Sequence, residues 1–194
     1  MSYYYLAAQL PSLSYGHAAP MSSQAFKELA GTLMEPDDAV WLNRCAIDPG
    51  IIDVSENDLP DFFINWSEWE RSLRLNLARG RAARLKRDIF LDAPDYPMDA
   101  VTAAKAAAAL DSPLEAELLI DEARWTAIDS FQGFDNFHRN AIYAYLLKLL
   151  LLERRSCFRT EEGFAEYKGL YASIMEAVVV GAVREPPIKS GEPK

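Results

Sequence analysis

The stretch Asn136-Phe137-His138-Arg139-Asn140-Ala141-Ile142-Tyr143-Ala144-Tyr145-Leu146-Leu147-Lys148-Leu149-Leu150-Leu151-Leu152-Glu153-Arg154-Arg155-Ser156-Cys157 decides the fold. Its apolar side chains do not keep to one stripe but cover a helix nearly all round, the pattern of a helix surrounded by protein. The apolar core of the stretch, Ala141 to Leu152, spans 12 positions, includes Lys148 and is flanked by Arg139 and by Glu153-Arg154-Arg155. A membrane span needs about 20 apolar residues, so the spacing predicts a buried helix of a water-exposed protein. Asp135 or Asn136 is its expected start, and it ends near Cys157.

Helices surround this element on both sides. Upstream, Gly133 breaks a helix that opens at Ser112-Pro113-Leu114-Glu115. There the serine is the N-cap, proline takes the first helical position and glutamate the third. That helix carries Leu118, Leu119 and Trp125 and runs to about Phe131. Val101 to Leu110 reads as an alanine-rich helix suited to close packing. Before it, Asn65 with Glu68 three residues on reads as a capping box, from which a helix runs to about Arg87. Trp66, Trp69, Leu73 and Leu77 fall on one stripe of it, with Gly80 in line. Pro94 and Pro97 mark the connection beyond.

Nearer the front, Ser22 or Ser23 caps a short helix with Phe26, Leu29 and Leu33 at helical spacing. Pro36 opens another, with Val40, Trp41 and Leu42. Residues 46–61, with Pro49-Gly50, Pro60 and several acids, read as a loop. Tyr3-Tyr4-Tyr5-Leu6-Ala7-Ala8 reads as a short strand or a first helical turn, and Pro11, Gly16 and Pro20 punctuate the residues after it. At the far end Thr160 caps a last helix to about Val183, with Phe164, Tyr167, Tyr171 and Ile174 three and four apart. The expected fold is therefore mainly α. It is a helical bundle around a central apolar helix at about 136–157, with a short irregular or strand-like N-terminus. Residues 1–184 form one domain and the Pro-rich 185–194 a disordered tail.

A chain of 194 residues buries about 70% of its unfolded surface, enough to fold without disulfide or metal. The net charge of −9 and pI near 4.8 argue against a general nucleic-acid coat or a lipid-surface binder. Cys45 and Cys157 cannot make a disulfide framework and read as small core residues of a reduced, cytoplasmic protein. Met1 to Leu10 has no positively charged segment, the first basic residue being Lys27, so no targeting segment is expected.

Catalytic motifs are missing: there is no Gly-rich phosphate loop, H-E-x-x-H, C-x-x-C or G-x-S-x-G. Only His17 and His138 exist. Asp135 precedes His138 by three, which reads as a capping aspartate beside a histidine. Cys45 follows Arg44 with no histidine near it in sequence. No catalytic, cofactor-binding or metal-ligating residue is expected, and no cofactor.

One segment departs from the acidic background. Arg71, Arg74, Arg79, Arg81, Arg84, Lys86 and Arg87 face only Glu68 and Glu70, so 66–87 is +5 while the rest of the chain is −14. Arginine is favoured for bidentate pairing with carboxylates. Either these arginines pair internally, with acids in 35–61 and 88–135, or they form a protein-partner face. Nucleic acid is disfavoured by the −14 elsewhere. Positive charge near a helix C-terminus also suits the helix dipole. Arg71, Arg74, Arg79, Arg81, Arg84 and Arg87 are the candidate partner-binding residues.

The opening Tyr3-Tyr4-Tyr5-Leu6-Ala7-Ala8-Gln9-Leu10-Pro11-Ser12-Leu13, followed by Phe26 on a short helix, resembles a family of short bacterial proteins encoded with V/A-type ATPase genes. Trp69-Glu70-Arg71 with Arg79-Gly80-Arg81-Ala82-Ala83-Arg84-Leu85, and Asn140-Ala141-Ile142-Tyr143-Ala144-Tyr145-Leu146-Leu147-Lys148-Leu149, fit the same pattern. By extension the chain is similar to the central-stalk socket protein of V/A-type ATPases, their C-type stalk component, called d in eukaryotic enzymes. The resemblance implies an all-helical, non-enzymatic coupling subunit between the central shaft and the membrane rotor ring, with those subunits as partners. It would sit in the cytoplasm, at the inner face of the cell membrane through the ATPase complex and without inserting. The socket protein is markedly longer, so this chain matches part of that funnel, and the family supplies no catalytic residue. The rival reading is a small-molecule-binding or enzymatic helical domain with an aromatic pocket around Trp66, Trp69 and Trp125. An RNA-binding bundle is a third.

Overall fold

The structure is a computed structural model and describes residues 2–50, 59–87, 93–158 and 166–175. Among the described residues up to 158, seven helices run in order: α1 (Tyr4–Gln9), α2 (Ser23–Leu33), α3 (Pro36–Arg44), α4 (Asp61–Arg84), α5 (Met98–Ala109), α6 (Pro113–Gln132) and α7 (Arg139–Ser156). Among the described residues the only β pairing is an isolated antiparallel bridge between Ser2 and His138. The protein is mainly α, as the periodicities predict.

Two local start signals act as expected. Ser22 Oγ accepts from Ala25 N at 3.1 Å to open α2, and Ser112 Oγ accepts from Glu115 N at 3.3 Å to open α6. Pro36 and Pro113 take the first turns of α3 and α6. Gly133, at φ 77°, ends α6 in a conformation that side chains rarely adopt.

The start of α4 corrects the capping-box reading. The helix begins four residues earlier, at Asp61 behind Pro60, so Asn65 and Glu68 are interior helix positions. Tertiary packing overrides the local signal: Phe62 and Phe63 are buried in the core and hold the first turn. The helix stops at Arg84, and Lys86, at φ 50°, turns the chain just short of Arg87. Likewise α7 starts at Arg139 rather than Asn136. Asp135 Oδ1 instead accepts from Phe137 N at 2.8 Å, a local turn that delays the helix. The N-terminus is part helix and part bridge: α1 follows a Tyr3 N–H that donates to Phe137 O at 2.6 Å.

The core is one cluster drawn from α1 to α7. In α7 the buried residues Ala141, Ile142, Tyr143, Ala144, Leu146, Leu147, Leu149, Leu151 and Leu152 fall on every side of the helix, as its composition predicts. In α4 the predicted stripe is buried throughout, with Leu73 wholly inside. Truncating Leu73 to alanine is expected to cost about 2–5 kcal/mol. The closest helix packing is among α4, α5 and α6, where alanines line the seam. A Cβ on Gly80 would stand 2.7 Å from the Ala108 Cβ, so α4 and α5 approach to a distance that only glycine permits there.

The chain divides into two compact units, Met1–Arg155 and Ser156–Lys194, where the sequence reading carries one domain to 184. In the second unit residues 166–175 are helical, with Tyr167, Tyr171 and Ile174 exposed. Phe164, the cap at Thr160, the end near Val183, the tail 185–194 and half of the 46–61 loop, residues 51–58, lie outside the described residues. Cys45 is buried, and burial pushes its thiol pKa up. Cys157 is exposed, which corrects its reading as a core residue: it lies one position past the end of α7.

Candidate functional site

The arginines of α4 lead into a row of alternating charges. Glu70 falls on the same stripe as Trp66, Leu73 and Leu77 and is fully buried with them. Its Oε1 accepts from Arg74 Nε at 2.8 Å and from Arg124 Nη2 at 2.6 Å, and its Oε2 from Arg124 Nε at 3.1 Å. Arg124 on α6 is also buried, and its Nη1 donates to Asp121 Oδ1 at 3.0 Å. The same Asp121 oxygen accepts from Arg154 Nη1, from α7, at 3.2 Å, and Arg154 Nη2 donates to Glu117 Oε2 at 2.5 Å. At one end Arg74 Nη1 lies 2.6 Å from Asp48 Oδ2. At the other, Arg81 Nη2 lies 3.8 Å from Glu117 Oε1.

The order is Asp48, Arg74, Glu70, Arg124, Asp121, Arg154, Glu117, Arg81: four acids and four arginines, crossing from the loop after α3 through α4, α6 and α7. Its middle is buried and its ends reach solvent, with Asp48 and Arg81 side chains 65% and 61% exposed. The two ends border a cleft of about 400 Å³, whose apolar wall is Ile47, Leu77 and Ile120.

Electrostatics differ along the row. Burial pulls the Arg124 guanidinium down, but the hydrogen bonds and charges of Glu70 and Asp121 together outweigh it, so its pKa is raised. Arg74 is raised on the same balance, with Glu70 and Asp48 as its partners. The Arg74 hydrogen bond holds Asp48 below the usual carboxylate value. Asp121 goes the other way: burial raises its pKa, and Arg154 and Arg124 do not bring it back. Its Oδ2 is buried without a hydrogen-bond partner, and such an acceptor disfavours the charged form.

The predicted partner-binding residues divide accordingly. Arg74 and Arg81 join the cleft. Arg79 Nη2 donates to Ala93 O at 2.7 Å and its Nη1 lies 3.8 Å from Asp95. Arg84 donates to Ala108 O and Leu110 O, at 3.0 and 2.8 Å, and pairs with Asp111 at 2.8 Å. It thereby closes the open carbonyls at the end of α5. The acids that meet these four arginines from other segments, Asp48, Asp95, Asp111 and Glu117, lie within the two stretches anticipated for internal pairing. Arg71 and Arg87 are exposed, with no ion-pair partner among the described residues.

Reading α4 alone missed Arg124, Arg154, Glu117 and Asp121. Two signals were available. Glu70 is a carboxylate on an otherwise apolar stripe, which demands a cation from elsewhere. Asp121 and Arg124 are spaced i,i+3 within a helix of buried alanines and isoleucines.

The three tryptophans named for the rival pocket differ in their surroundings. Trp66 and Trp69 are buried and stack at 5.9 Å. Their indole N–H groups donate to Ala46 O at 3.0 Å and Asp99 Oδ2 at 2.7 Å. Trp125 is half-buried, against Tyr15 and under the Lys148 ammonium. Among the described residues no group of three or more His, Cys, Asp or Glu is placed to hold a metal ion. Neither is any helix among them long and apolar enough to cross a membrane. His138 lies at the bridge to Ser2, and its Nδ1 accepts from Asn140 N at 3.4 Å.

No family model, no curated protein and no solved structure matches the chain.

Proposed function

We propose that the chain is a non-enzymatic accessory subunit of a V/A-type ATPase. It would resemble the socket protein of the central stalk and dock on neighbouring stalk or rotor subunits through the arginine-bearing end of α4. The observation that carries this reading is the charge row. A coupling subunit must pass force without deforming, and a row of ion pairs that is buried and hydrogen-bonded at its centre and ties three helices together is a stiff cross-brace. The same row delivers Arg74 and Arg81 to the surface, where arginine forks suit a protein partner's carboxylates. The resemblance of the N-terminal, α4 and α7 segments to the ATPase-linked family supplies the identity of the complex.

The test is affinity purification of the tagged chain from its native cells after gentle membrane solubilisation, with the retained proteins identified. Co-recovery of ATPase shaft and rotor subunits is expected, and its loss in Arg74→Glu combined with Arg81→Glu. Recovery of the chain alone, with the ATPase intact elsewhere, overturns the reading. Unchanged recovery with the double variant removes α4 from it.

A further inference from the structure

We propose that the cleft binds a carboxylate side chain of an acidic protein segment, which displaces Asp48 from Arg74 and joins Arg74 to Arg81. This rests on reading the cleft as a protein-docking face and names the chemistry of the segment that docks.

The inner members of the row are committed. Arg124 is shared by Glu70 and Asp121, and Arg154 by Asp121 and Glu117. The outer members are not. Arg81 meets only Glu117, at 3.8 Å, beyond hydrogen-bond distance, so its guanidinium has no hydrogen bond among the described residues. Arg74 spends Nε on Glu70 and Nη1 on Asp48, and its side chain is 43% exposed. Asp48 in turn sits on a loop, and among the described residues its carboxylate meets Arg74 and the Gly50 N–H, the latter at 3.4 Å. An exposed ion pair of this kind exchanges at little cost. Asp48 is in effect an internal stand-in for the ligand.

Charge selects a carboxylate over a phosphate. With Asp48 displaced, four arginines face Glu70, Asp121 and Glu117, leaving a single positive charge. One carboxylate restores neutrality; a dianion would overshoot it and face Glu117 beside Arg81. Size selects a peptide over a free ion. A cleft of about 400 Å³ walled by Ile47, Leu77 and Ile120 has room for a side chain and an apolar neighbour.

The test titrates the full chain, at low salt, with a short capped peptide of Glu, Leu and Ala, with its Glu→Gln counterpart and with inorganic phosphate. The Glu peptide is expected to bind and to weaken with added salt, and the Gln peptide to fail. Asp48→Asn should tighten binding about tenfold by removing the competitor, and Arg81→Gln should weaken it about tenfold. Both positions are exposed, and unchanged helical circular dichroism confirms the fold of each variant. Equal binding of both peptides, no gain with Asp48→Asn, or displacement of the peptide by equimolar phosphate overturns the proposal. Failure here with ATPase subunits still recovered on the tagged chain removes the cleft alone. Success here with none recovered removes the ATPase and leaves the cleft.

Discussion

Asp38 and Asp121 are both buried, at 6% and 1% exposure, yet their surroundings push them in opposite directions. Burial raises the pKa of each. At Asp38 that is more than offset: Tyr3 donates its hydroxyl to Oδ2, and Arg139 Nη1 and Tyr143 Oη reach Oδ1 at 3.1 and 3.3 Å. The carboxyl ends below its ordinary value. Tyr3 is in turn pushed up to about 12, by burial and by the carboxylate it serves. Asp121 has two arginines where Asp38 has one, but both donate to the same oxygen and both are shared with other acids, Glu70 and Glu117. Its second oxygen has no donor, and its pKa ends raised. Two differences separate them: Asp121 is the more deeply buried, and its donors all fall on one oxygen where those of Asp38 cover both.

The largest expected effect separates the two sites by what each loses with its arginine. Arg124→Ala leaves Glu70 and Asp121 buried with their main partner gone, and should cost about 3–5 kcal/mol in urea unfolding. Arg139→Ala leaves Asp38 with both tyrosine hydroxyls and should cost about 1–2 kcal/mol. Equal costs would break the comparison. Tyr3→Phe comes next: it removes the donor to Oδ2 and should cost about 1.5–3 kcal/mol, the range for hydrogen bonds to charged groups. A loss no larger than that of Tyr5→Phe, an exposed control, would show that Oδ2 does not depend on Tyr3.

The smallest effect is the sharpest in sign. Asp38 has a lowered folded pKa, so its contribution is present above the unfolded value near 3.8 and lost as pH falls through the folded one. The stability advantage of the wild type over Asp38→Asn should therefore shrink as pH drops below about 4. Asp121 has a raised folded pKa, so protonation favours the fold. The wild type should gain on Asp121→Asn as pH falls from above that raised value towards 3.8. Opposite slopes in the two differences, from unfolding curves across acidic pH, sharpen the contrast. Parallel slopes would erase it.

Much of the fold was legible because helix periodicity and caps are local. The apolar girdle of α7, the Ser112-Pro113 start and the Gly133 stop each follow from a few consecutive residues. The Asn65-x-x-Glu68 pattern misled because a capping box is worth less than burying Phe62 and Phe63 one turn earlier. The charge row was legible only at one end. Arginines on α4 stand out by composition, but their partners Asp48, Asp111 and Glu117 are separated from them by loops whose paths no spacing reveals. What sequence does contain is the misfit of Glu70 among aromatics and leucines, and that misfit points to a cation without saying which.

The way the front of the chain is fastened has a consequence for the order in which the molecule is made. Helices α4, α5 and α6 follow one another in sequence and pack closest, so they can assemble as soon as they are synthesised. The first forty-four residues touch that unit at Tyr15 and Trp41 but depend on α7 for the rest of their fastening. Tyr3 hydrogen-bonds to Phe137, Pro11 to Tyr145, Ser23 to Glu153 and Asp38 to Arg139, all in or beside α7. On a ribosome, α1 to α3 emerge first: Trp41 meets Phe63 once α4 has formed, but Phe26, which packs on Tyr145, waits in solvent until the last helix of the unit arrives. A chain stopped short of Arg139 would hold a packed middle and a beginning that has lost its α7 anchors. For this protein the closing helix completes the opening ones, and quality control would meet a half-made chain at its N-terminal end.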